Sequence, residues 1–228
     1  MRGVGVELVV TAGIDMASSE DAVRMARGFA SVKPCVGIHP WYADTYGAEA
    51  LEGLRELAGN PEVVAVSEVG LDYVGRMTPD WVRTDEIIDP EVQRAALRGQ
   101  LGLARELGLP VIVHDRTPGL ELLEILEEEG VVEVGAAIHG FAKDAEYVVR
   151  AVEMGVYLSI GRSVTREKNE VLMEAIRQVP LDWILTETDS SDPTRVLEVA
   201  EKAAEVKGLT REEVGRAATR NLKKLLKL

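Results

Sequence analysis

Val63-Val64-Ala65-Val66-Ser67-Glu68-Val69-Gly70-Leu71-Asp72 is the stretch whose reading decides the fold. An apolar, β-branched run leads into a carboxylate, then a Gly-containing loop, then a second carboxylate. Such a run reads as a strand buried on both faces, as parallel strands are. A Glu where such a strand emerges is costly to desolvate unless something positive meets it. Three other runs end the same way: Val111-Ile112-Val113-His114, Ala136-Ala137-Ile138-His139, and Ile184-Leu185-Thr186-Glu187-Thr188-Asp189. Brought to one end of a parallel sheet, Glu68, His114, His139 and Asp189 would make a metal site.

Outward from that stretch, strands alternate with helices. A strand is expected over Val6–Gly13, then a helix opened by Ser18 with Asp21 as a capping-box-like partner. Pro34–Ile38 reads as a strand ending at His39-Pro40, and Ala48–Leu57 as a helix. Residues 74–90 hold Pro79, Trp81, Pro90 and several charges, and read as a long loop over a site. Asp89-Pro90 marks an N-cap with Pro at the first helical position, and Gly108 closes that helix. Helices follow over 120–128, 145–154 and 168–178, with strands at 111–113, 136–138, 156–160 and 183–186 between them. Asp192-Pro193 opens a helix running to Gly208, and Thr210 with Glu213 caps the last one. Seven strands in this rhythm without a linker predict one α/β domain over residues 1–228 with a parallel sheet.

The chain has 228 residues, of which 46% are hydrophobic and only 4% aromatic, so the core must be mostly Val, Leu, Ile and Ala. A net charge of −13 disfavours a broad, non-specific grip on a phosphate backbone, though not a nuclease whose cations meet the phosphate locally. The single cysteine, Cys35, excludes an internal disulfide. No apolar run reaches membrane length and no signal-peptide pattern opens the chain, so the expected location is cytoplasmic.

All three histidines, His39, His114 and His139, stand at expected strand ends, where parallel α/β folds place their sites. Imidazole nitrogens with carboxylate oxygens suit zinc, manganese or iron better than calcium. Such a site supports hydrolysis, with Asp189 as general base. Taken singly, each has a structural reading: a satisfied strand-end histidine, or Glu68 paired with an Arg. Asp189 could cap a helix, although Asp192 is better placed beside Pro193. Arg116 fits an anionic substrate group, or an ion pair with Asp72, Asp115 or Glu187. His39 touches substrate or holds its loop. Trp41, Trp81 and Phe141 wall a pocket or pack beneath a loop.

Gly37-Ile38-His39-Pro40, Glu68-Val69-Gly70-Leu71-Asp72, Pro110 through Arg116, Ile138-His139-Gly140-Phe141 and Glu187-Thr188-Asp189-Ser190 fall in an order that resembles the TatD-related metal-dependent hydrolases. The stretch from Val199 through Gly208 to Asn221 resembles that family's ending. The resemblance implies a TIM-type barrel of the amidohydrolase kind and a divalent-metal phosphoesterase, commonly a deoxyribonuclease. It implies Glu68 as the metal-bridging carboxylate, His114 and His139 as ligands of one metal, and Asp189 as ligand of the other and catalytic. Ser67 stands before the Glu where Gly is usual, and Ser191-Asp192-Pro193 displaces the usual Pro.

The family also opens with a strand ending in His-x-His, and this sequence carries no such pair. The expectation is therefore a seven-strand, open barrel, from an internal Met taken as the start or a truncated gene. Its uncovered strand edges would invite a second copy of the chain. Glu68, His114 and His139 still give three ligands, so one tightly held zinc, manganese or magnesium ion at most is expected. The expected substrate is a phosphodiester of DNA or of a nucleotide-like molecule. The alternative is an impaired barrel kept as a binding or assembly module, and a third reading changes the substrate to a cyclic amide or lactone.

Overall fold

A computed structural model describes residues 5–78, 82–166 and 169–228. Pro79, Trp81 and Lys168, the first residue of the expected 168–178 helix, lie outside them. The contacts divide the chain into two compact units, residues 10–134, and residues 1–9 with 135–228.

The unit of residues 10–134 runs β1 (Val9–Ala12, its first residue in the other unit), α1 (Met16–Ala26), β2 (Val32–Val36), α2 (Ala48–Ala58), β3 (Ala65–Asp72), α3 (Pro90–Leu107), β4 (Val111–Arg116) and α4 (Glu121–Glu128). β2 pairs in parallel with β3 through Cys35↔Ala65 and Val36↔Val66. β3 pairs in parallel with β4 from Val66↔Val111 to Asp72↔Arg116, with a register shift between Val66 and Val69. β1 begins three residues later than the sequence suggests, and β2 closes at Val36, so His39 stands beyond the strand. Asp15, not Ser18, caps α1. Its side chain accepts from Ser18 N while Ser18 at the third helical position returns a bond to the cap, the reciprocal box one turn earlier than expected. Asp89, Pro90 and the left-handed Gly108 bound α3 as the sequence suggests.

α3 also sets the strand ends. Gln93 and Gln100 are seven residues apart, hence on one helix face, and both are buried. Gln100 Oε1 accepts from Ile38 N at 2.7 Å and its Nε2 donates to Ile38 O at 3.0 Å. Gln93 does the same at Asp72, with 2.7 Å to the amide and 3.0 Å to the carbonyl oxygen. Each glutamine satisfies backbone groups that would otherwise be left bare at a strand mouth. Behind them Val23, Val36, Ile38, Leu54, Val63 and Leu103 form a core cluster. Cys35 is buried, and burial pushes its thiol well up, as suits a packing residue.

The other unit runs β5 (Ala136–His139), α5 (Ala145–Glu153), β6 (Val156–Ile160), a short helix α6 (Ser163–Arg166), α7 (Glu170–Gln178), β7 (Ile184–Thr186), α8 (Val196–Lys207) and α9 (Arg211–Leu225). β5, β6 and β7 pair in parallel and in order, through Ala136↔Val156 and Leu158↔Ile184. Every residue of β5 and β6 is buried, the pattern of strands covered on both faces. Thr210 and Glu213 form the expected capping box of α9. Asn221 on that helix donates to Leu181 O and Ile184 O, holding the start of β7. No helix among the described residues is long and apolar enough to cross a membrane.

Candidate metal centre

Glu68 lies within β3, not at its mouth, because pairing to β4 carries the strand on to Asp72. It sits where the register shifts, which re-aims a side chain as strand irregularities do. Its amide donates to Gly13 O at 3.0 Å, and its side chain is 16% exposed. One atom each from His39, Glu68 and His114 lie within 4.8 Å of one another.

The partners of the two imidazoles assign them different work. His114 Nε2 lies 2.9 Å from Asp72 Oδ2. An ionised carboxylate only accepts, so Nε2 carries the hydrogen and the lone pair stands on Nδ1. His39 Nδ1 accepts from Trp41 N at 3.1 Å, so in the neutral ring its hydrogen is on Nε2. That nitrogen lies 3.8 Å from Glu68 Oε2, beyond hydrogen-bond reach. His114 is therefore the imidazole able to give electrons to a cation, and His39 a hydrogen-bond donor beside it. The rings lie 4.4 Å apart, and Trp41 stands 4.3 Å from His39.

Asp72 holds this group together. Its side chain is fully buried, and Oδ2 accepts from both His114 Nε2 and Trp41 Nε1 (2.9 Å). Oδ1 accepts from Val74 N at 2.9 Å and Gly75 N at 3.1 Å. Burial pushes its carboxyl up, but the bond and charge of His114, with Val74 N and the Trp41 indole, outweigh it and hold the carboxyl below its usual value. A carboxylate that fixes a histidine tautomer is the usual outer partner of a metal-binding imidazole.

The other unit repeats the device. His139, the last residue of β5, places Nδ1 2.6 Å from Glu187 Oε2, which leaves its lone pair on Nε2. Gly140 N donates to the same oxygen at 3.0 Å. Burial raises the Glu187 carboxyl, and His139, Gly140 N and Ser159 together bring it below the usual carboxylate range. Gly161 makes room, since a Cβ there would stand 2.6 Å from Glu187 Oε1. Asp189 is exposed and left-handed, with φ +46°, a conformation Asp tolerates better than most residues.

The remaining sequence candidates divide. Arg116 Nη1 donates to Asp115 O at 2.7 Å, not to a carboxylate. Asp192 accepts from Thr194 N and caps its turn. Phe141 is buried and packs 6.2 Å from Tyr147 in its own unit. The sequence reading missed Asp72 and Glu187 as braces, treating them as partners for Arg116. The available signal was a second carboxylate beside each candidate ligand, in Glu68-x-x-x-Asp72 and Glu187-x-Asp189.

Asp72→Asn isolates the brace. Whichever way the amide turns, its NH2 meets two donors, either Val74 N with Gly75 N or Trp41 Nε1 with His114 Nε2. Only the imidazole can move its proton, so the amide is expected to face His114 and drive the hydrogen onto Nδ1. The expected result is a roughly 10–100-fold loss of metal affinity, read by manganese titration. Unchanged affinity would remove Asp72 from the metal centre.

Comparison with known proteins agrees with this chemistry. The crystal structure of YJJV, a TatD homolog from Escherichia coli K12, superposes with a TM-score of 0.85 at 24% identity, covering 99% of this chain and 88% of that one. The "Uncharacterized metal-dependent hydrolase YabD" of Bacillus subtilis is 32% identical over 235 residues, 98% of this chain and 88% of the relative. The "3'-5' ssDNA/RNA exonuclease TatD" of Shigella flexneri is 31% identical over 187 residues, 82% of this chain and 68% of the relative. The fold is a TIM-type (β/α) barrel, with seven strands among the described residues, and the chain is a metal-dependent hydrolase. It belongs to the TatD-related DNase family, which matches residues 1–227.

Proposed function

We propose that the chain hydrolyses phosphodiester bonds of single-stranded nucleic acid or nucleotide-like substrates, with residues 1–228 acting as one hydrolase domain. The observation that carries the reading is His114, whose buried Asp72 partner leaves its lone pair on Nδ1 in the group that holds Glu68. The name of the Shigella relative supports the substrate class.

Glu68, His114 through Nδ1, His139 through Nε2 and Asp189 are the proposed ligands. Two nitrogen and two oxygen donors fit zinc or manganese, with magnesium the weaker candidate. At most one tightly held ion per chain is proposed, on Glu68, His114 and His139, with Asp189 serving a weaker second position. A cation held by these residues would lower the pKa of a water and offset charge on the attacked phosphoryl group. Asp189 takes the proton of the attacking water, a role its exposed, left-handed turn suits. His39 donates from Nε2 to a phosphoryl oxygen, its ring fixed by the Trp41 amide. Arg116, anchored on the Asp115 carbonyl, offers the rest of its fork to the substrate anion.

A labelled single-stranded oligonucleotide incubated with manganese tests this. Cleavage is expected with the metal, should cease in chelator, and should return on adding manganese back. Elemental analysis should find at most one tightly held ion per chain. An oligonucleotide left intact with every divalent cation would favour the binding-module alternative.

A further inference from the structure

Residues 75–78 and 82–86 set two arginines, Arg76 and Arg83, close to the carboxylate that orients His114. The strand partners Met77 and Arg83 bridge in antiparallel fashion, and Arg76 N donates to Glu86 O while Thr84 N donates to Arg76 O. The base of this hairpin is tight, since a Cβ on Gly75 (φ +112°) would stand 2.0 Å from Thr84 O. Val74 N and Gly75 N donate to Asp72 Oδ1, so one buried side chain anchors both the hairpin and His114.

Arg83 Nη1 donates to Gly75 O at 2.6 Å and lies 3.8 Å from Asp72 Oδ2. That distance is too long for a hydrogen bond, and each Asp72 oxygen already accepts two donors within 3.1 Å. Asp72 thus orients the Arg83 guanidinium by charge without consuming its fork. The side chain is 39% exposed, open to a ligand. Arg76, on the same hairpin, lies 4.4 Å over the Tyr42 ring in the turn that carries His39 and Trp41, while Arg83 stands by the Asp72 carboxylate that the Trp41 indole also meets. In a chain of net charge −13, a cation held beside these donors is the recognition an anion needs.

We propose that Arg83 grips a phosphoryl group of the substrate beside the Glu68–His114 donors, making the hairpin the phosphate-recognition arm of the enzyme. The inference rests on the phosphodiester reading above for the substrate class. Its chemistry is a planar fork on phosphoryl oxygens, which a Lys replaces only as a point charge.

The test is fluorescence anisotropy of a labelled single-stranded oligonucleotide with the full chain in chelator, across 50–200 mM salt, for the wild type, Arg83→Met and Arg83→Lys. Arg83→Met should weaken binding roughly tenfold. It should also flatten the slope of log K against log salt by about 0.7, the share of one phosphate contact on a single strand. Arg83→Lys should keep that slope and lose part of the affinity. A purely structural Arg83 would lower stability in both variants without distinguishing their salt slopes. Equal slopes and affinities for wild type and Arg83→Met overturn the proposal, as do Arg83→Lys matching Arg83→Met and a wild type that binds no oligonucleotide. Because chelated protein cannot report turnover, the two readings fail separately. Arg83-dependent binding without cleavage in manganese sinks only the hydrolysis of that substrate. Cleavage with an unchanged Arg83→Met slope sinks only the arm.

Discussion

Glu68→Gln is expected to bring manganese-dependent hydrolysis close to background while leaving the fold in place. The amide has the shape of the carboxylate, and the backbone of residue 68 keeps its bond to Gly13 O. What is lost is one negative charge and one strong oxygen donor in the group with His114 and His39. A neutral amide oxygen offsets little of a dication's charge, and its NH2 end repels one. Loss of an outer partner costs about 10–100-fold, so loss of a proposed direct ligand should exceed it, on the order of a thousandfold in rate. Thermal unfolding should shift by no more than about 2–4 °C, the equivalent of roughly 1 kcal/mol in a chain of this size. Initial rates across a manganese titration make the comparison. A variant holding a tenth or more of the wild-type rate at saturating metal would exclude Glu68 as a ligand.

What the sequence displayed of this centre and what it concealed have separate physical origins. The strand end at His139 was legible because a buried apolar run that breaks at an imidazole is conspicuous in a single chain, whereas β4 runs on past His114 to Arg116. β5 does end on His139. The alternation of strands with helices was legible too, since its turn residues act locally, as the left-handed Gly108 and the Thr210–Glu213 box do. The true extent of β3 was not, because Leu71 and Asp72 remain in the strand by pairing with Asp115 and Arg116, some forty residues on. The braces were hidden for the same reason. Whether Asp72 faces Arg116 or His114 depends on which side chains the neighbouring strand turns inward, and the structure chose His114. The misplaced cap of α1 is a smaller case, two short polar residues competing for one role. Asp15 won because the helix begins at Met16, and Ser18 then served from inside.

Gly70, read in the sequence as a loop glycine, lies within β3 opposite His114, and Gly70→Ala is expected to be among the most damaging single changes in the chain. Its φ of +149° is one that residues with a side chain rarely adopt, and an added Cβ would stand 2.0 Å from His114 O and 2.8 Å from both His114 C and N. All three atoms are backbone of the paired strand, so no rotamer change relieves the clash. β3 and β4 would have to part where Gly70 faces His114, breaking the flanking pairs Val69↔Val113 and Leu71↔Asp115. The expected cost is above about 4 kcal/mol, the range reserved for backbone strain and core disruption together. Gly102 in α3 supplies the contrast. A Cβ there meets nothing within 4 Å, so Gly102→Ala should gain about 0.5–1 kcal/mol from helix propensity alone. Urea unfolding of the three proteins measures both. A Gly70→Ala midpoint close to the wild type would mean the strands can separate at His114 without loss. In that event the placement of His114 against Glu68 could not depend on their close approach, and the rigidity argued for the metal centre would have to come from Asp72 and Gln93 alone.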